Sequence, residues 1–333
     1  MKKLSKTLIT VIALCVIAMG FGCNKSSVTP HKTTDTTAAK TQILYSMDDT
    51  LETTSTTIWS VATDGTGNKK VAISVPTNLH FDFDSDIAAE VSTDNKTMTL
   101  SLDNADESNT YFYKCNIDGS NVQSIPNIDG YIYLQTFISP TAILYWQNAN
   151  NDHNGELWQT NTDGSSNQQV NIALPTGVYF GDGKFAKVSA DGKTIVFSTF
   201  GTTNSGSTSA IYKCNTDGSG LTLVTSDNTS GTLQAIINTN TLLYNLYNAT
   251  TNEDELWLVN LDGSNKHQIS LTLPTGLTLA DSRAEATSST IYFVTGDAND
   301  TQAIYSAGID GTNVKLVANV PLGYAVKLQG LIK

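Results

Sequence analysis

Ile211-Tyr212-Lys213-Cys214-Asn215-Thr216-Asp217-Gly218 is one statement of a phrase that occurs six times in the chain, the other copies lying at residues 58–65, 112–119, 157–164, 256–263 and 304–311. Each copy reads as a β-strand ending on an Asp-Gly turn, because glycine supplies the positive φ that tight turns require. A short strand follows the turn, as in Val122-Gln123-Ser124-Ile125 and Val314-Lys315-Leu316-Val317. An apolar strand precedes the phrase, as in Ile43-Leu44-Tyr45, Ile195-Val196-Phe197 and Ile291-Tyr292-Phe293. Before most of these lies one more strand and turn, clearest at Phe185-Ala186-Lys187-Val188-Ser189-Ala190-Asp191-Gly192.

Four strands and about 49 residues per unit over 41–333 are the dimensions of a propeller blade. The predicted fold class is therefore all-β, a six-bladed β-propeller of four-stranded blades. The first blade lacks an inner strand, since little but polar chain precedes Ile43. The C-terminus has one to spare in Tyr324-Ala325-Val326-Lys327-Leu328. Pairing the two closes the ring with no raw edge in its circumference.

The turn aspartates Asp64, Asp118, Asp163, Asp217, Asp262 and Asp310 are separated by 54, 45, 54, 45 and 48 residues. The alternation makes the real unit a pair of blades. Trp59, Trp158 and Trp257 recur at an interval of 99, as do Pro76, Pro175 and Pro274, which predicts three-fold pseudo-symmetry. The large ring on each third strand, Trp in odd blades and Tyr in even ones, is expected to pack between blades. Cys115 and Cys214 read as small core residues, two blades apart and too distant to form a disulfide.

The phrase aromatic-x-x-Asn-x-Asp-Gly-Ser, preceded by Ser-x-Asp-Gly-Lys-x-Ile-x-Phe at Ser189–Phe197, resembles the repeat of TolB-type six-bladed propellers. It is also similar to the repeats of low-density-lipoprotein-receptor-like and prolyl-oligopeptidase-like propellers. The likeness covers 41–333 and leaves no length for the α/β domain that TolB carries beside its propeller. It implies a fold, not an activity, because such propellers serve as scaffolds, binding modules and enzyme gates.

Composition agrees with a strand-rich chain. Of 333 residues only 15% are charged and 39% are hydrophobic, and the polarity lies in runs such as Thr53-Thr54-Ser55-Thr56-Thr57. These are poor helix formers. The net charge of −12 speaks against nucleic acid as a partner, since that binding runs on Lys/Arg clusters.

The N-terminus reads as a targeting segment. Lys2, Lys3 and Lys6 precede an apolar stretch over 8–19 that is too short for a comfortable membrane span. Gly20-Phe21-Gly22-Cys23 then resembles the lipobox of bacterial lipoproteins, although Gly20 stands where an aliphatic residue is usual. The expected division is a signal peptide over 1–22, a lipidated Cys23 with a flexible tether over 23–40, and the propeller over 41–333. Removing 1–22 takes away three lysines and no acid, so the net charge goes from −12 to −15. A tether of this length stretches to about 55–60 Å and averages roughly 20–25 Å. Asn24 is not the aspartate associated with inner-membrane retention, so an outer-membrane location within the envelope is expected.

Loops joining second to third strands, and each blade to the next, share one face of such a ring, and here they are long and acidic. The expected ligand or partner face holds Asp82, Asp84, Asp86, Asp182, Asp281 and Arg283 in lead-in loops. Glu90, Lys187 and Glu285 take equivalent positions on even-blade inner strands, either as a charged ring at the channel mouth or paired with one another. Asp82-x-Asp84-x-Asp86 has calcium-loop spacing, but Thr93 stands where an EF-hand needs a bidentate Glu, leaving only a looser calcium site. No Gly-x-Ser-x-Gly elbow occurs, and His31, His80, His153 and His267 are scattered. The expectation is a non-catalytic, exported, lipid-anchored binding propeller with a protein or small-molecule partner and no cofactor; the alternative is a lactonase- or lyase-like enzyme with an axial calcium centre.

Overall fold

In a computed structural model the described residues are 40–50, 56–81, 87–148, 155–180, 186–203, 206–280 and 283–333. The signal segment, Cys23 and the tether up to residue 39 lie outside them. Blade 1 takes β1 (Gln42–Asp49), β2 (Thr57–Ala62) and β3 (Lys69–Lys70). Blade 2 takes β4 (Leu79–Phe81), β5 (Ala89–Val91), β6 (Thr97–Asn104), β7 (Thr110–Asn116) and β8 (Gln123–Gly130). Blade 3 takes β9 (Ile132–Ser139), β10 (Ala142–Gln147), β11 (Glu156–Asn161) and β12 (Gln168–Gln169). Blade 4 takes β13 (Val178–Tyr179), β14 (Ala186–Val188), β15 (Thr194–Thr203), β16 (Gly206–Asn215) and β17 (Thr222–Asp227). Blade 5 takes β18 (Gly231–Ile237), β19 (Thr241–Asn248), β20 (Glu253–Asn260) and β21 (His267–Gln268). Blade 6 takes β22 (Thr278–Leu279), β23 (Glu285–Ala286), β24 (Thr290–Gly296), β25 (Gln302–Gly308) and β26 (Lys315–Asn319).

The chain then returns to blade 1. β27 (Tyr324–Ile332) pairs antiparallel with β1 from Gln42↔Ile332 to Asp49↔Tyr324, giving the sheet order β27-β1-β2-β3. This is the expected closure by the C-terminal strand. The two-blade period is also plain in the sheets. Even blades have a divided inner strand, β4 with β5, β13 with β14 and β22 with β23, whereas odd blades have a continuous one. Outer strands alternate too, being two residues long in odd blades and five to eight in even ones.

The six Asp-Gly turns are built alike. Each aspartate Oδ1 accepts the backbone N–H and the hydroxyl of the residue two places on, for example Ser219 N at 2.9 Å and Ser219 Oγ at 2.6 Å on Asp217. The hydroxyl bond is the main cause that holds the Asp118, Asp163, Asp217, Asp262 and Asp310 carboxyls below their ordinary value. At Asp64 the Lys40 ammonium contributes most. In blades 2 to 5 the asparagine two places before the aspartate donates to the same serine, as Asn215 Nδ2 does to Ser219 Oγ at 2.9 Å, which explains the Asn-x-Asp-Gly-Ser pattern.

The turn glycine is constrained twice. Gly218 has φ +86, and a Cβ there would stand 2.2 Å from the carbonyl oxygen of Asn171 in the preceding blade. The other five turn glycines meet a backbone carbonyl of the preceding blade in the same way, at 2.4–2.7 Å. Gly276 also has φ +86 but has nothing within 4 Å of the added carbon. Gly218→Ala is therefore expected to lose about 2–4 kcal/mol, from left-handed strain plus forced separation of two blades. Gly276→Ala should lose only about 1–2 kcal/mol, the strain alone. Urea unfolding of the two variants checks the order, and equal losses would remove the blade-contact half of the explanation.

The hydrophobic core is divided into six clusters, each shared by two neighbouring blades. Ile195, Phe197 and Cys214 of blade 4 pack with Leu144, Trp146 and Leu157 of blade 3, and Val196 and Ile211 of the same blade pack with Leu233, Leu242 and Val259 of blade 5. Both faces of β15 are thus covered. The rings at the phrase position pack in these seams as expected, Trp59 against the blade 1 and 6 cluster and Tyr212 against that of blades 3 and 4. Cys115 and Cys214 are buried and free, and burial pushes both thiols up to about 12.

Candidate functional site

Three buried glutamines organise the axis. In each odd blade the inner strand carries a β-bulge, and the extra residue is Gln135, Gln234 or Gln329. A bulge re-aims a side chain out of its ladder. Each Oε1 reaches the inner strand of the next even blade: Gln135 accepts from Ala186 N at 2.9 Å, Gln234 from Ala284 N at 2.8 Å and Gln329 from Ala89 N at 3.0 Å. Each bond is worth about 1 kcal/mol net and satisfies an amide that the divided inner strand leaves over. The spacing expectation did not include these residues, yet a signal was there: a Leu-Gln pair recurs once per odd blade, at Leu134-Gln135, Leu233-Gln234 and Leu328-Gln329, 99 and 95 residues apart.

One residue after each of those alanines stand Glu90, Lys187 and Glu285, which do form a ring, and they are paired. Arg283 turns inward from its lead-in loop. Its Nη2 donates to Glu90 Oε2 at 3.0 Å, and its Nε stands 2.9 Å from Glu285 Oε1. Lys187 Nζ is 3.8 Å from Glu285 Oε1, and Thr136 Oγ1 donates to Glu90 Oε1 at 3.1 Å. Two cations face two carboxylates, so the cluster is neutral. Burial, reinforced by Arg283, lowers the proton affinity of the Lys187 ammonium, against the pull of Glu90 and Glu285.

This cluster lines an axial cavity of about 220 Å³ whose rim is formed by Ser92, Thr93, Asn95, Ser189 and the C-terminal Lys333. Those residues lie on the side of the Asp-Gly turns. Of the sequence-predicted site residues, then, Glu90, Lys187, Arg283 and Glu285 meet at the axis, away from the loop-rich face. Asp82, Asp84, Asp86, Asp182 and Asp281 lie outside the described residues. Among the described residues no group of three or more His, Cys, Asp or Glu is placed to hold a metal ion.

Only part of the loop-rich face is among the described residues. Asp48 and Asp103, at strand ends below the loops, are buried at 2% and 6% exposure and are not part of the presented surface. Among the described residues the face presents exposed carboxylates at Asp106, Glu107 and Glu253 and, beside them, aromatic rings. Tyr131 (46% exposed), Tyr179 (43%) and Tyr247 (38%), with Leu322 (70%), stand on the loop side of blades 3, 4, 5 and the closing junction. Tyr131 is held edge-on to Tyr133 and Trp146, with the Tyr133 hydroxyl donating to the Tyr131 hydroxyl at 2.8 Å. Over blade 5 the loops enclose a cavity of about 540 Å³, lined by Phe200, Thr232, Asn245, Tyr247, Asn252, Glu253, Asp254, Thr278 and Leu279. Tyrosine and large apolar groups on an otherwise polar rim are the composition of recognition surfaces.

No protein-family model matches the chain, and no curated protein sequence does. Solved structures do. TolB from Acinetobacter baumannii superposes with a TM-score of 0.62 at 13% identity, covering 87% of this chain and 66% of that one. This chain thus spans just under two thirds of that TolB. A nidogen/laminin complex gives 0.58 at 9% identity, covering 87% and 97%, and an oligogalacturonate lyase from Vibrio parahaemolyticus gives 0.54 at 14% identity, covering 85% and 75%. The fold is that of TolB-like six-bladed propellers.

Proposed function

We propose that this TolB-like propeller is a non-catalytic binding module of the bacterial cell envelope, exported by residues 1–22, held to the outer membrane through a lipidated Cys23, and recognising a protein or small-molecule partner through its loop-rich face. The observation that carries the binding face is the set of exposed tyrosines on its side of the ring, Tyr131, Tyr179 and Tyr247, the last of which lines an open cavity. At the axis, by contrast, the charged groups are satisfied by one another. The basic start, short apolar run and Gly22-Cys23 support the anchor. Protein and ligand propellers and enzymes share this fold, so the face and not the fold supports the reading.

Replacing Tyr131, Tyr179 and Tyr247 together by alanine is expected to reduce the partner recovered with the protein from native envelopes by roughly tenfold or more, since each exposed aromatic anchor is worth about 1 kcal/mol or more in a complex. The rings are each about half buried, and Tyr131 packs on Tyr133 and Trp146, so the variant is expected to melt lower but still cooperatively, and recovery is read where it is fully folded. Undiminished recovery from the triple variant would overturn the assignment of the face. Loss of a metabolic lipid label on Cys23→Ser tests the anchor separately.

A further inference from the structure

We infer that the cavity over blade 5 binds a neutral polyhydroxylated chain, an oligosaccharide, with Tyr247 as its stacking platform; this rests on the loop-rich face being the binding face and assigns its ligand class. At about 540 Å³ the cavity falls within the roughly 300–1,000 Å³ of ligand sites. Its described walls carry Glu253 and Asp254 and no Lys, Arg or His, so an anionic ligand would meet like charge and no counter-charge.

The lining supplies hydrogen-bonding groups suited to a ligand that both donates and accepts. Asn245 lines the cavity and its Oδ1 accepts from Gln234 Nε2 at 3.3 Å, so what it has to offer a ligand is its amide N–H groups. Asn252 Oδ1 accepts the Tyr247 hydroxyl at 2.5 Å, which leaves its own N–H groups likewise. Thr232 and Thr278 add hydroxyls, and the Glu253 carboxylate is an exposed acceptor. Tyr247 is rigid as well as exposed. Its hydroxyl is tied to Asn252, its N–H donates to Ser230 O at 2.9 Å, and its carbonyl accepts from Thr229 Oγ1 at 2.6 Å. A fixed aromatic face pays little entropy on binding. A sugar ring presents apolar C–H faces to such a ring and a rim of hydroxyls to amides and carboxylates. A peptide would ask for backbone pairing at a free strand edge, and β19 already lies between β18 and β20.

The test titrates the protein by calorimetry with maltohexaose, cellohexaose, xylohexaose and mannohexaose, and with hexagalacturonate as the anionic counterpart. Binding of at least one neutral hexaose is expected, weakened roughly tenfold or more by Tyr247→Ala and several-fold by Asn245→Ala, with hexagalacturonate silent. Tyr247→Ala loses its packing and its bond to Asn252, so it should melt lower but cooperatively, and titration well below that melt separates a lost platform from a lost fold. No binding by any neutral hexaose, equal binding by Tyr247→Ala, or binding of hexagalacturonate overturns the inference. If the neutral sugars fail while the tyrosine triple variant still loses its envelope partner, the ligand class is wrong and the binding face stands.

Discussion

Deleting residues 324–333 is expected to abolish cooperative folding, or to lower the melting temperature by tens of degrees. The segment is β27, the inner strand of blade 1, and it pairs with all eight residues of β1. Val326 and Leu328 are 1% and 0% exposed, and at about 1.5–3 kcal/mol each their burial is a large part of a domain's stability of roughly 5–15 kcal/mol. Gln329 would be lost as well, freeing Ala89 N and one of the three axial links. The truncated ring would expose the edge of β1, whose residues Ile43 to Asp48 are otherwise buried, and an open apolar edge invites aggregation. Circular dichroism melts of the full and truncated chains read the effect. A melting temperature within about 2 °C of the parent would show that the ring closes some other way.

Arg283→Met is expected to cost about 3–5 kcal/mol, the penalty for removing one partner from a buried ionic group. The guanidinium joins Glu90 of blade 2 to Glu285 of blade 6, and without it two buried carboxylates share only Lys187, which stands 3.8 Å from one of them. Adding Glu90→Gln to Arg283→Met restores charge balance with the Lys187–Glu285 pair and should recover part of the loss. That recovery is the sign of a fastener. A stable Arg283→Met protein that loses its envelope partner would instead make the axial cluster the binding site. Urea unfolding with partner recovery on the same samples separates the two.

The ring, its six blades and its closing strand were legible because a repeat states each local choice six times. Asp-Gly-Ser turns, apolar strands and a 99-residue period all point to one architecture, and local agreement of that kind is what specifies a fold. The axial residues were half legible. Alignment of blades found Glu90, Lys187 and Glu285, but whether they pair depends on where Arg283 turns, and its loop position says nothing of that. The three glutamines recur once per odd blade and were missed because a lone Gln in an apolar strand looks like noise; its use depends on a bulge, which no pattern of apolar alternation announces. The tyrosines of the loop face were hidden for a related reason. Tyr179 and Tyr247 occupy strand ends, where one step of register decides between core and solvent. Of the acidic segments on that side, Asp48 and Asp103 turn inward while Asp106 and Glu107 are exposed, a division that the run of carboxylates in the sequence does not announce.

The claim at the centre is that partners meet the loop-rich face, and site-specific photo-cross-linking in living cells tests it most directly. A photoreactive phenylalanine analogue is placed at Tyr131, Tyr179 or Tyr247 on one face and at Asn121, Ser166 or Asn265 beside the Asp-Gly turns on the other. A discrete cross-linked product is expected from at least one tyrosine position and none from the turn positions. Products from the turn positions alone would contradict it.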